Sequence, residues 1–139
     1  MARQDQIVTP DAWSPHGEAL VSGHPEWLVW SGIPGEQSKV KVHHHGQNQV
    51  RAQWRSANQP SPFRVKPSCD RYDLCGGCPH MHLNAAGQAK ARDALIRDAL
   101  AFEGLNGIHP RPLVPSPTLL GYRHLVKLQA GFSEYGRPR

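Results

Sequence analysis

The stretch Trp27-Leu28-Val29-Trp30-Ser31-Gly32-Ile33-Pro34-Gly35-Glu36-Gln37-Ser38-Lys39-Val40-Lys41-Val42 decides the fold class. Its first four residues are a β-favouring run that breaks at Ser31-Gly32 and Pro34-Gly35. Its last four alternate charged and apolar at period two, and Val50-Arg51-Ala52 leads into Gln53-Trp54 with the same alternation. From His16 to about Pro62 there is no helical period. Several short strands at close spacing predict a small β-barrel, so the fold is read as mainly β. Pro60-Ser61-Pro62 closes this module as a stiff linker.

Working outward, residues 1–12 are polar and read as a disordered tail, which leaves 13–62 for the barrel. Residues 63–83 hold all three cysteines and show no regular period. One helix is predicted from about Ala85 to Glu103, with Asn84 as N-cap and Gly104 just past its end. Leu95, Ile96, Ala99, Leu100 and Phe102 form an apolar stripe opposite Arg92, Asp93, Arg97 and Asp98, and are read as plain packing surface. After a Pro-rich stretch over 110–121, Val126, Leu128, Ala130 and Phe132 alternate with Lys127, Gln129 and Gly131. That predicts a strand with one buried face. Residues 84–139 therefore read as a helix and the start of an incomplete, truncated α+β domain.

The chain has 139 residues, 38% of them hydrophobic, with 13 Gly and 13 Pro, which suits a turn-rich fold with a modest core. That length does not hold a full cofactor-binding α/β domain beside a nucleic-acid-binding module. No apolar run exceeds the four residues of Trp27 to Trp30, far too short for a membrane-spanning helix. Met1 to Asp11 lacks the apolar centre of a signal peptide, so a cytoplasmic location is expected.

The net charge is +5 and unevenly placed. No acidic residue lies between Glu36 and Asp70, whereas Lys39, Lys41, Arg51, Arg55, Arg64 and Lys66 do, together with His43, His44 and His45. A one-signed stretch of this kind suits a polyanion such as nucleic acid. An ordinary solvated basic face would look the same.

Cys69-x5-Cys75-Gly76-Gly77-Cys78 is the strongest local signal. Three thiols cannot all pair, and without a secretion signal structural disulfides are disfavoured. Crowded thiolates repel unless a cation shares them, which points to zinc or an iron–sulfur cluster. Gly76 and Gly77 let the backbone wrap tightly and turn its N–H groups inward. With His80 or His82 a three-Cys, one-His zinc site would be complete, whereas an iron–sulfur cube normally takes a fourth cysteine. On spacing alone zinc leads.

Three stretches resemble the RNA uracil-5-methyltransferases that carry an N-terminal TRAM domain and a [4Fe-4S] cluster. The first runs from Gly17-Glu18-Ala19 through Gly32-Ile33-Pro34-Gly35-Glu36 to Ser61-Pro62-x-Arg64-Val65. The second is Cys69-x5-Cys75-Gly76-Gly77-Cys78-x3-His82-Leu83 with Gln88 and Arg92, and the third is Ser116-Pro117-x4-Gly121-Tyr122-Arg123. His124 departs from the family, which usually has Asn there. The resemblance implies that residues 13–62 are an OB-like TRAM barrel. It also implies that Cys69, Cys75 and Cys78 are three cluster ligands, with the fourth downstream of this chain and His82 not a ligand, which reverses the zinc preference.

Family members use S-adenosylmethionine to methylate C5 of a uridine, usually in ribosomal RNA. A cysteine thiolate adds at C6, the methyl group is transferred, and a base removes the C5 proton. The nucleophile, the base and the S-adenosylmethionine pocket belong to a C-terminal domain with no counterpart here, so no catalytic or S-adenosylmethionine-binding residue is assigned. The implied share of this chain is capture of RNA, with 23S ribosomal RNA expected, by a monomer with no membrane association. Lys39, Lys41, Arg51 and Arg55 are the candidate phosphate contacts. Trp30 and Trp54 are either stacking platforms or, as the usual burial of Trp favours, core. The other readings are a free-standing, non-catalytic TRAM module and a small zinc protein.

Overall fold

The computed structural model describes residues 5–125. Six strands come first: β1 Asp5–Val8, β2 Ala12–Trp13, β3 Ala19–Val21, β4 Glu26–Trp30, β5 Ser38–His45 and β6 Gln49–Ala57. A single helical turn, α1 Tyr72–Cys75, and the helix α2 Ala85–Phe102 follow. The strands form one sheet in the order β1-β5-β6-β4-β3-β2. All neighbours are antiparallel except β4 and β6, which run parallel with Trp27 beside Val50 and Val29 beside Ala52.

Two irregularities in the long β5–β6 hairpin bend the sheet. Lys39 faces Ser56 while Val40 faces Trp54, which leaves Arg55 as an extra residue; His43 is the extra residue between the Val42–Ala52 and His44–Arg51 pairs. Such bulges increase local twist and curl a sheet. The described pairings are those of an open, mixed sheet with β1 and β2 at its edges, rather than the closed ring of strands that the spacing predicts. At four and two residues, the edge strands offer little backbone for closing it.

Burial explains the Trp27–Trp30 run. Leu28 and Val29 point to opposite faces, and both are buried, as expected for a central strand covered on both sides. One core gathers Ala19, Val29, Val40 and Ala52, with Val8, Trp13, Val21, Trp27 and Trp54 packed against it. A second joins Ile33, Leu83 and Ala91 to Trp13 and Phe63, and so seats α2 on the sheet.

Of the disordered tail that polarity predicts over 1–12, residues 5–12 are instead ordered, and residues 1–4 lie outside the described residues. Asp5–Val8 pairs with Lys41–Ser38 on the outer edge of β5, and Lys39 Nζ stands 3.0 Å from Asp5 Oδ2. An unpaired β5 edge supplies hydrogen-bond partners, and a four-residue strand needs no apolar pattern of its own to use them.

Helix α2 follows its sequence signals at both ends. The Asn84 side chain accepts the Gly87 N–H at 2.9 Å, and Gly104 takes φ +73°, a left-handed turn that glycine adopts without strain. The stripe at Leu95–Phe102 is a correction. Packing runs through the N-terminal half of α2, where Gly87 and Ala91 are buried. Ile96 and Phe102 are exposed, Phe102 at 88%, because only small residues let the helix approach Phe63 and Leu83 closely. The strand predicted over 126–132 lies outside the described residues.

Candidate functional site

The turn Pro34-Gly35-Glu36 places the Glu36 carboxylate inside the protein, where its side chain has no solvent exposure. Arg64 reaches it from beyond the sheet: Nε donates to Oε1 at 3.0 Å and Oε2 at 2.9 Å, and Nη2 donates to Oε1 at 2.6 Å. Arg64 Nη2 also donates to the Ser31 carbonyl, and its guanidinium lies 3.9 Å over the Trp54 ring. Trp54 Nε1, Ser38 Oγ and the Ser61 N–H complete the donors around Glu36. Burial alone would raise the Glu36 pKa, but the Arg64, Ser61 and Ser38 donors hold it below the ordinary carboxylate value of 4.5. Arg64 therefore drops out of the basic surface, and Trp54 is tied into the interior rather than held ready for stacking.

The candidate phosphate contacts stand on the β5–β6 hairpin. Lys41 lies directly across from Gln53, which alternation places on the same face of β6 as Arg51, while Arg55 is the bulged residue further along that strand. Arg51 and Arg55 are exposed and Lys41 is half-buried. None of the three has a carboxylate partner among the described residues. Lys39 differs, since Asp5 offsets its charge. Trp30 sits at the end of β4 with its ring 5.7 Å from that of Tyr72. Its Nε1 is buried and has no hydrogen-bond partner among the described residues.

The cysteine loop is hung from the sheet by Tyr72. The Tyr72 hydroxyl lies 2.7 Å from His82 Nδ1 and 3.2 Å from the Pro79 carbonyl, and accepts from Ser31 Oγ at 3.0 Å. His82 Nε2 lies 3.0 Å from the Gly32 carbonyl, which can only accept. So Nε2 carries the proton, Nδ1 accepts from Tyr72, and the ring is neutral. Burial drives the His82 pKa down to about 4, consistent with that state. A second fastening is Gln53, whose Nε2 donates to Asp73 Oδ1 at 3.0 Å while its Oε1 meets His43 at 3.2 Å.

Around these anchors Cys69, Cys75 and Cys78 are all free and exposed. Cys69 and Cys78 each open a tight turn, their carbonyls accepting the N–H groups of Tyr72 and Met81 at 3.2 Å. Cys75 ends α1, and Gly76 follows it with φ +69°. The donor set is the soft-thiolate kind that iron–sulfur clusters and zinc take. Its arrangement is not: among the described residues no group of three or more Cys, His, Asp or Glu stands close enough to hold a metal ion. Both nitrogens of His82 are committed. His80 Nε2 lies 2.9 Å from the Gly17 carbonyl, with the imidazole edge-on to Trp13. The three-Cys, one-His zinc site expected from spacing is therefore not formed by these histidines, which serve as internal struts.

The buried Glu36–Arg64 pair, the Tyr72–His82 link and the Gln53–Asp73 bridge were not among the candidates from sequence. Pro34-Gly35-Glu36 and Arg64 stood in the family resemblance, but nothing in the sequence joins residues 28 positions apart.

No family model matches the chain. Among curated proteins, an "Uncharacterized RNA methyltransferase" of Bacillus cereus is 30% identical over 121 residues, 86% of this chain and 26% of that protein. The "23S rRNA (uracil(1939)-C(5))-methyltransferase RlmD" of Shewanella baltica is 34% identical over 126 residues, 86% of this chain and 27% of that protein. An "Uncharacterized RNA methyltransferase" of Synechocystis is 33% identical over 105 residues, 75% of this chain and 23% of that protein. The chain thus spans about a quarter of the length of the curated relatives it matches. Over that portion, this chain is similar to RNA methyltransferases, the 23S rRNA uracil-C5 enzymes among them.

Proposed function

We propose that this chain is the RNA-capturing portion of an S-adenosylmethionine-dependent 23S rRNA uracil-C5 methyltransferase. The curled β1–β6 sheet acts as its TRAM-type module, the loop over 63–83 is the cluster-binding element, and 84–139 opens the next domain. The observation that carries the reading is the set Lys41, Arg51 and Arg55, which presents positive charge on one hairpin without carboxylate partners among the described residues. Arg64, by contrast, is consumed internally. Lys39 is a weaker contact because it must first leave Asp5. Cys69, Cys75 and Cys78 supply three thiolates to a [4Fe-4S] cluster, which fixes the loop, and the fourth ligand comes from outside these 139 residues. Methyl transfer belongs to the remaining length of such proteins, and the chain works as a monomer in the cytoplasm.

Affinity for a uridine-containing single-stranded RNA loop, followed by fluorescence anisotropy across a salt series, tests this reading. Released counterions should dominate the binding free energy, so log affinity falls linearly with log salt. The pair Lys41→Glu and Arg51→Glu should weaken binding and flatten that slope by about one unit per lost phosphate contact. Lys39→Glu should do less. Absence of saturable binding at low salt, or an unchanged slope in the double variant, would overturn it.

A further inference from the structure

Between the outer face of β4–β6 and the turn α1 runs a groove of about 340 Å³, within the size range of ligand sites. Its lining is chemically divided. Arg51 contributes a cation, Glu18 and Asp73 contribute carboxylates, and Trp30 and Leu74 contribute apolar surface. Leu74 is 80% exposed, an unusual position for a leucine one residue from a cysteine turn that is otherwise polar. Among the described residues the Asp73 carboxylate is held by one oxygen, through Gln53, and its other oxygen has no partner. No side-chain hydrogen bond or ion pair occupies the Glu18 carboxylate among the described residues.

A pure phosphate site would not carry two carboxylates, and a pure apolar groove would not carry Arg51. An unpaired nucleotide matches this mixture, with its phosphate on Arg51 and its base against Leu74 and Trp30. The carboxylates then select the base. Each can only accept, so they favour a Watson–Crick edge rich in N–H donors and disfavour one lined by carbonyl oxygens. Guanine presents two adjacent N–H donors on that edge. Uracil presents one between two carbonyls, which a carboxylate repels.

We propose that this groove is a subsite for a single unpaired guanine of the bound RNA, read by Glu18 and Asp73 and anchored by Arg51. The proposal rests on the RNA-binding reading above, and adds to it a base preference at a defined place beside the cysteine loop.

The 139-residue chain would be titrated by anisotropy with two labelled RNA hexamers, an all-uridine strand and the same strand with one internal guanosine. The guanosine strand should bind about five-fold or more tightly, the discrimination of one good paired-donor contact. Glu18→Gln and Asp73→Asn should each shrink that increment while leaving all-uridine binding in place. Far-UV circular dichroism verifies that both variants fold. Equal affinity for the two strands, or an increment untouched by both variants, would overturn the guanine subsite while leaving the RNA reading intact. Failure of either strand to bind at low salt would overturn both.

Discussion

Glu36 and Arg64 form an ion pair almost wholly withdrawn from solvent: the two side chains are 0% and 9% exposed, and the closest approach is 2.6 Å. Breaking such a pair from one side is costly, since the remaining charge stays buried. Arg64→Ala should destabilise the fold by roughly 3–5 kcal/mol, read from urea unfolding, whereas Lys39→Ala at the exposed Asp5 pair should cost no more than about 1 kcal/mol. Similar losses for the two variants would contradict this account.

The same pair sets an acid limit. Because the folded pKa of Glu36 lies below 4.5, its contribution is present above that value and is lost as pH falls through the lower folded value. Glu36→Gln should therefore be less stable at pH 7 than the parent, and should show a shallower decline below pH 4.5.

His82 acts in a higher window. Its folded pKa is about 4 against an ordinary 6.5, so the unfolded chain takes up a proton first as pH falls. Stability should decline between pH 6.5 and 4, by up to about 3 kcal/mol from this ring alone at 1.36 kcal/mol per unit. His80, also lowered by burial, adds in the same direction. In His82→Phe the decline should be smaller; an identical pH profile would show that His82 titrates normally.

Gly87→Ala sets two effects against each other. Alanine gains about 1 kcal/mol of helix propensity. The new Cβ would lie 2.8 Å from Phe63 Cβ and 3.3 Å from Leu83 Cβ, atoms close to the backbone that cannot swing away. Overpacking of roughly 1–3 kcal/mol should win, and thermal denaturation should show a lower Tm.

Cys75→Ser tests the proposed cluster loop. Iron bound after anaerobic reconstitution should fall to background, and proteolysis should quicken over 63–83 while β1–β6 stays protected. Unchanged iron content would remove Cys75 from the ligand set.

Legibility from sequence followed the range of the forces involved. The run Trp27–Trp30, the alternations at Lys39–Val42 and Val50–Ala52, the Asn84 cap and Gly104 all act within a few residues, and each has its counterpart in β4, β5, β6 and α2. What escaped was long-range. Asp5–Val8 is a strand only because β5 has an open edge. The stripe at Leu95–Phe102 looks buried on a helical wheel, yet the small residues Gly87 and Ala91 make the close approach instead. The cysteine spacing conveyed donor chemistry, but the turns that hold the three thiols are fixed by Tyr72, one of the residues the spacing leaves unspecified, and by His82 and Gln53 from outside the motif.

The parallel pairing of β4 with β6 has a kinetic side. β4 is complete at Trp30, but its partner begins only at Gln49, and β1 likewise waits for β5. During synthesis the apolar Trp27–Trp30 segment therefore has only the short β3 beside it until the β5–β6 hairpin has left the ribosome. At about 5–20 residues per second that interval lasts a second or more. The hairpin, being local, should form first and template the strands on either side, so nucleation in this sheet runs from its centre outward rather than from the N-terminus forward.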